Sequence, residues 1–472
     1  MVIEKKIYLL VLLFVAFTCE AKIKLPSILG NHMVLQQLSE IKLWGWGEAE
    51  KPLFVETSWN SKRYGTRVRS NGTWEITINT EKAGGPYSIE ISDGDTLSLQ
   101  DIYLGEVWLC SGQSNMGMPV RGDIGQPVIN SLTTIANADS SIPIRMFNVG
   151  RSFQKQGQDD CQGKWCVNSA EYVSSFSAVA YFFGMQLYQA LKVPIGLVQA
   201  SCGSSNIQSW MPAWALEKFP SVSLKHLEDG VKITNPKRSA SMLFNGMIYP
   251  IKNYFFKGVI WYQGESNQTD ANQYADLFMS FVKSWRTVMR NDTLPFYYAQ
   301  ISPYSYGDSN GYNSALIREA QYDCARSIAN VGMAVLMDVG SEFCIHPPEK
   351  QTVGKRLSFL ALEKTYQKKG IVADSPRFSS AKRIGNSVLL FFEDAFLGIT
   401  SYDKSLEGFE LAGDDGVFYS ADARIIDRIK VQVKCDKVDV PVYLRYAFKN
   451  YIKANLFGGN GLPVSSFRIK IE

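Results

Sequence analysis

The chain predicts an α/β protein: a central parallel sheet with helices on both faces, in three layers, flanked by a β-rich region at each end. Three observations predict it. Residues 22–98 break into short apolar-alternating runs punctuated by Gly, Asn, Asp and Pro, the pattern of a small antiparallel β domain. From 99 to 369, apolar runs of strand length alternate with helical stretches, as in strands joined by crossover helices. From 370 to 472 the β pattern returns. At 472 residues the chain exceeds one compact core, so separate domains at these boundaries are expected.

Taken in order, Lys5 and Lys6 precede the apolar run Ile7–Phe17, and small residues follow at Thr18, Cys19 and Ala21. That is a signal peptide over 1–21, with a run too short to span a bilayer comfortably. No later run reaches spanning length. The expectation is a secretory-pathway protein, secreted or lysosomal, with no integral membrane segment after cleavage. The N-terminal strands fall at Met33–Gln36, Ile41–Trp46, Leu53–Thr57, Thr73–Ile78 and Tyr87–Ile91. The central sheet takes Glu106–Cys110, Ile195–Ala200, Gly258–Tyr262, Phe296–Ile301 and Met333–Asp338. Phe176–Leu191 has helical periodicity, as does Gln351–Tyr366, which starts after Pro347 and Pro348. Residues 303–314, rich in Ser, Asn and Tyr, read as a long loop near the cleft. The C-terminal strands are Ser387–Phe392, Lys430–Lys434 and Val442–Tyr446.

Composition is that of an ordinary globular protein, with 46% hydrophobic and 20% charged residues. A net charge of +4 without a dense Lys/Arg stripe argues against a nucleic-acid partner. Of eight cysteines, Cys19 leaves with the signal peptide, and the odd remainder means that at least one is unpaired or bonds another chain. Cys161 and Cys166 are close enough for a local disulfide. No paired Cys-x-x-Cys clusters or His-x-x-x-His spacing suggests a zinc site, and no metal or organic cofactor is expected. Sequons begin at Asn71, Asn267 and Asn291; Asn267 adjoins the suspected active site and is not expected to carry a glycan.

The chemistry lies where strands end, because ligands of open α/β sheets bind beyond the carboxyl ends of the strands. The first central strand ends in Gly112-Gln-Ser114-Asn115, with Ser114 at the tip of the turn. The second ends in Ser201-Cys-Gly203, the third in Gln263-Gly-Glu265-Ser-Asn267, and the last is followed by Ile345-His346-Pro347. One crevice thereby receives a hydroxyl, a backbone N–H turn, an amide with a carboxylate, and an imidazole. Those are the parts of an acyl-transfer site. A serine needs a base near neutrality, and only His32, His226 and His346 exist. His32 lies in the N-terminal β region and His226 in a charged loop, which leaves His346.

The wording of these segments resembles the SGNH (GDSL-like) hydrolases, and more closely the sialate O-acetylesterase family. The resemblance runs from Asn31-His-Met-Val-Leu-Gln36 through Lys164-Trp, Phe176–Gly184, Pro194-Ile-Gly-Leu197, Tyr249-Pro and Gly258–Ser266 to the helix ending near Tyr366. It implies the SGNH three-layer fold, Ser114 as nucleophile and His346 as base. It also implies an oxyanion hole of Ser114 N–H, Gly203 N–H and the Gln263 amide. Glu265 either orients a substrate hydroxyl or holds its loop. Asn115 braces the turn. Trp210 either stacks on a sugar or packs in the wall.

Several positions depart from the family pattern. Many relatives carry an aspartate two residues before the histidine, where this chain has Cys344, and a neutral thiol is a poor anionic orienter. Asp338 or Glu342, a backbone carbonyl, or no third group at all are the alternatives. Cys202 replaces a tryptophan, and Gln208 and Gly117 replace glutamates, changes that bear on substrate choice. The expected function is a serine esterase that removes O-acetyl groups from sialic acids or sialoglycans. Deacetylation of another glycan, such as acetylxylan or a microbial polysaccharide, and a silent glycan-binding homologue are the rivals.

Overall fold

The computed structural model describes residues 23–471, so the expected signal peptide and Cys19 lie outside the described residues. The central sheet is built from β1 (Thr96–Gly112), β2 (Ile144–Asn148), β3 (Trp165–Val167), β4 (Ile195–Ser201), β5 (Gly258–Tyr262), β6 (Phe296–Ala299) and β7 (Val331–Ala334). Its order is β7-β6-β5-β1-β4-β2-β3, parallel throughout except for the β2–β3 edge. Strands buried on both faces read as continuous apolar runs, and Val107–Cys110 is fully buried. Successive residues of β1 feed opposite cores: Trp108 and Cys110 on one side, Val107 and Leu109 on the other.

Helices α1 (Ala178–Leu191) and α4 (Lys350–Leu360) cover the Trp108 face, while α2 (Ala271–Val288) and α3 (Asn313–Ser327) cover the other. The α1–α4 crossing is close because Gly354 lacks a side chain; a Cβ there would sit 2.8 Å from Phe182 Cβ and Phe183 N. Ser177 caps α1 by accepting from Ala180 N at 3.1 Å, and its hydroxyl donates to Met116 O at 2.6 Å. The cap thus ties α1 to the turn that carries Ser114.

Register sets the site. Gly112 is level with Ser201 on β4 and with Tyr262 on β5, so three strands finish flush and their polar sequels emerge side by side. The first half of β1 pairs antiparallel with Gly84–Ser92 of the N-terminal region, and its second half pairs with β4 and β5. The 98/99 boundary therefore falls inside one strand. The C-terminal region holds two four-stranded antiparallel sheets. It docks on fully buried Arg318, whose guanidinium donates to Ser314 Oγ and Ser466 Oγ, each at 3.1 Å, and to Lys449 O.

The structure departs from expectation in places. Lys62–Arg67, β2 and β3 are additional strands, and β7 ends at Ala334 rather than at Asp338. All seven described cysteines are unpaired: Cys161 is buried in a loop, while Cys166 lies on strand β3 with its Sγ toward Lys164 O. No helix among the described residues is long and apolar enough to cross a membrane.

Candidate active site

Ser114 opens a single helical turn, Ser114–Gly117, directly after β1. The turn needs Gly112: its φ is +145°, and a Cβ there would lie 2.2 Å from Tyr262 O. Gln113 N donates to Tyr262 O at 3.0 Å, and Cys202 N donates to Gly112 O at 3.0 Å, pinning the second strand end against the first. Gly203 then faces the serine, close enough that an added Cβ would touch Ser114 Cβ at 3.6 Å. The N–H groups of Ser114 and Gly203 have no acceptor among the described residues. For Ser114 this follows from its place at a helical N-terminus. Two unpaired donors beside one hydroxyl can hold an oxyanion.

His346 Nε2 lies 2.7 Å from Ser114 Oγ. Its Nδ1 bonds Gln126 Oε1, a residue the sequence reading did not single out. An amide oxygen only accepts, so this bond puts the proton on Nδ1 and leaves Nε2 free to receive the serine proton. Gln126 sits in a tight turn closed by reciprocal backbone bonds with Asp123, of 2.8 and 2.9 Å, and opened by Gly122 at φ +82°. Burial lowers the His346 pKa to about 4, and the Lys350 cation pushes the same way against a smaller opposing effect of Asp123. The imidazole is therefore neutral, and a base, at neutral and mildly acidic pH.

Two expected supports of His346 stand elsewhere. The Asp338 carboxylate is gripped by both Arg356 Nη atoms at 2.6 Å, a consequence of β7 ending early. Glu342 is exposed on the histidine loop, where its carbonyl accepts from Ser305 N. Gln263 also differs from expectation. Its amide donates to Asn267 Oδ1 at 2.7 Å and to Ser205 O at 3.2 Å, so both hydrogens are engaged and neither is open to an oxyanion. Tyr274 holds it in place by donating to Gln263 Oε1 at 3.0 Å. Asn267 is fully buried in this network, with Gln208 Oε1 accepting from its amide at 2.9 Å, which leaves no room for a glycan. Trp210 is fully buried against Trp261 and is wall, not sugar platform.

Asn115 and Glu265 form a buried brace. Asn115 Nδ2 donates to Glu265 Oε1 at 2.5 Å and to Ile345 O at 3.1 Å, joining the serine turn, the β5 end and the histidine loop. Burial raises the Glu265 pKa, with Asn115 and Lys350 acting against that. Glu265 Oε1 thus ties the β5 end to the serine turn through Asn115. Lys350, which donates to Asn115 Oδ1 at 2.5 Å, was not singled out from sequence. A lysine opening a helix gives no sequence signal of such a contact.

With this geometry described, comparison with known proteins gives a consistent result. The chain is 28% identical over 462 residues to the sialate O-acetylesterase of Mus musculus, covering 85% of this chain and 83% of that protein. The Homo sapiens sialate O-acetylesterase is 29% identical over 416 residues, covering 81% and 77%. A crystal structure of a carbohydrate acetylesterase from Xanthomonas citri superposes with a TM-score of 0.87 at 32% identity, covering 95% of this chain and all of that one. The sequence profile of one family matches residues 104–358, the span from β1 to α4 that carries every residue of the site. The chain belongs to that family, the sialic acid-specific acetylesterases among the carbohydrate esterases.

Proposed function

We propose that the protein is a serine esterase that removes O-acetyl groups from sialic acids through an acetyl-serine intermediate. The observation that carries this is the 2.7 Å approach of His346 Nε2 to Ser114 Oγ. Ser114 Oγ attacks the acetyl carbonyl as His346 Nε2 takes its proton. The tetrahedral oxyanion is held by the N–H groups of Ser114 and Gly203. The imidazolium then returns its proton to the departing sugar oxygen, and water, activated by the same imidazole, releases acetate. Gln126 keeps the ring in the required tautomer throughout.

The relatives named for sialate support the substrate, and so does charge. Sialic acids carry a carboxylate, whereas a xylan backbone is neutral. Arg238 Nε donates to Ser204 O at 3.1 Å, next to Gly203, and the charges of Arg151 and Lys237 reach the neighbouring Cys202 thiol. All three cations are exposed, and none forms an ion pair among the described residues. Such an edge suits an anionic sugar. The charged-then-apolar N-terminus supports a secreted or lysosomal protein.

The test is acetate release from 9-O-acetylated sialic acid and from acetylxylan by wild type, Ser114→Ala and His346→Ala. Release from the sialoside, lost in both variants, is the expected result. Activity on xylan alone would move the reading to a neutral glycan, and binding without release would make the protein a silent homologue.

A further inference from the structure

Lys350 is a buried cation that the chemistry above leaves unused. It is the first residue of α4, where the helix dipole disfavours positive charge, and it is fully buried. A lysine kept in such a place needs a compensating contact. Its Nζ lies 2.5 Å from Asn115 Oδ1 and 5.8 Å from the Tyr262 ring centroid. The other end of the Asn115 amide reaches Glu265 Oε1 and Ile345 O. Cation, amide and carboxylate thus form a chain whose middle residue follows Ser114, and the carbonyl it binds precedes His346. Glu265 Oε2 has no partner among the described residues.

We propose that Lys350 is a positioning residue of the esterase site: it holds the Asn115 amide between the serine turn and the histidine loop. This rests on the reading of Ser114 and His346 as nucleophile and base. Charged groups facing His346 from neighbouring elements are Asp123, which favours the imidazolium, and Lys350, which disfavours it. Ser114 and Gln126 are its neutral partners. Glu265 and Cys344 act on Lys350 itself. Burial brings the Lys350 pKa down to about 7, so the ammonium is charged throughout the acidic range in which His346 titrates. Removing that charge therefore moves the acid limb of the reaction to higher pH.

Lys350→Gln keeps a donor for Asn115 but no charge, and Lys350→Met removes both. The measurement is the pH profile of kcat/KM for an acetyl ester, on the full chain, with thermal melting of each variant alongside. The expected result is an acid limb raised by about half a pH unit or more in both variants. Plateau kcat should fall further in Lys350→Met than in Lys350→Gln, with little change in KM. Folded, active variants whose acid limb stays at the wild-type pH would overturn the proposal. Loss of folding in both would also overturn it, since Lys350 would then serve the fold rather than the site. An inactive wild type, or an active Ser114→Ala, would instead sink the esterase reading on which the proposal rests.

Discussion

Gln126 accepts the Nδ1–H of His346 across 220 residues of sequence, in the position where a carboxylate orients the base of many serine hydrolases. A neutral amide fixes the tautomer as well as a carboxylate does, but it adds no charge to stabilise the imidazolium. That difference gives the first prediction. Gln126→Glu places an anion beside Nδ1 and should raise the acid limb of kcat/KM by about one pH unit or more. Gln126→Ala frees the ring and should lower kcat by about 10², the low end of what a positioned base supplies. Steady-state kinetics across pH separates the two. Identical profiles for both variants and wild type would remove Gln126 from the mechanism.

The wild-type pH profile is itself a test. Because burial and the Lys350 cation hold the His346 pKa down at about 4, the basic form prevails from neutral pH well into the acidic range. Activity should persist there and be half lost only near pH 4. A half-loss near 6.5, the unperturbed imidazole value, would show that the folded site does not shift the group.

Gln263→Ala should act mainly on stability. The substitution strips Ser205 O of a donor and removes the side-chain acceptor of Tyr274 in a fully buried network. Leaving buried polar groups unpaired costs about 1–3 kcal/mol, readable by chemical denaturation. The kcat of the folded fraction should fall by much less than the ~10²–10³ typical of a lost oxyanion donor. A full loss of that size without a stability change would restore Gln263 to the oxyanion hole.

Charge reversal at the basic edge should separate anionic from neutral substrates. Lys237→Glu combined with Arg238→Glu should raise KM for an acetylated sialoside at low salt, with a smaller change for an uncharged acetyl ester. Raising ionic strength should narrow the gap, because exposed charges are screened within about 10 Å at 0.1 M. Equal effects on both esters would exclude recognition of the carboxylate there.

Much of this molecule was legible in its sequence. β5 is bounded at Gly258 and Tyr262 as its apolar run implies, and the three strand-end motifs do converge, because parallel strands buried on both faces leave a strong apolar signal. Lys62–Arg67 escaped because an exposed strand of Lys, Arg, Tyr and Thr carries no such signal. Asp338 was misplaced for a related reason. Val335–Met337 is apolar enough to extend β7, yet the chain leaves the sheet at Ala334 and hands the carboxylate to Arg356. Gln126 could not be found at all, since its role depends on where one loop meets another far along the chain. Lys350 was hidden by an exposed-residue stereotype: nothing local marks a lysine as buried.

The unbroken ribbon from Thr96 to Gly112 has a practical meaning for anyone reshaping this enzyme. A cut at the compositional border would sever the rod that ends at the nucleophile, rather than release a spare module. Exchange of the front β region with that of a cousin should therefore be spliced before Gly84, preserving the whole shared ribbon and the hairpin partner, Gly84–Ser92, that steadies it.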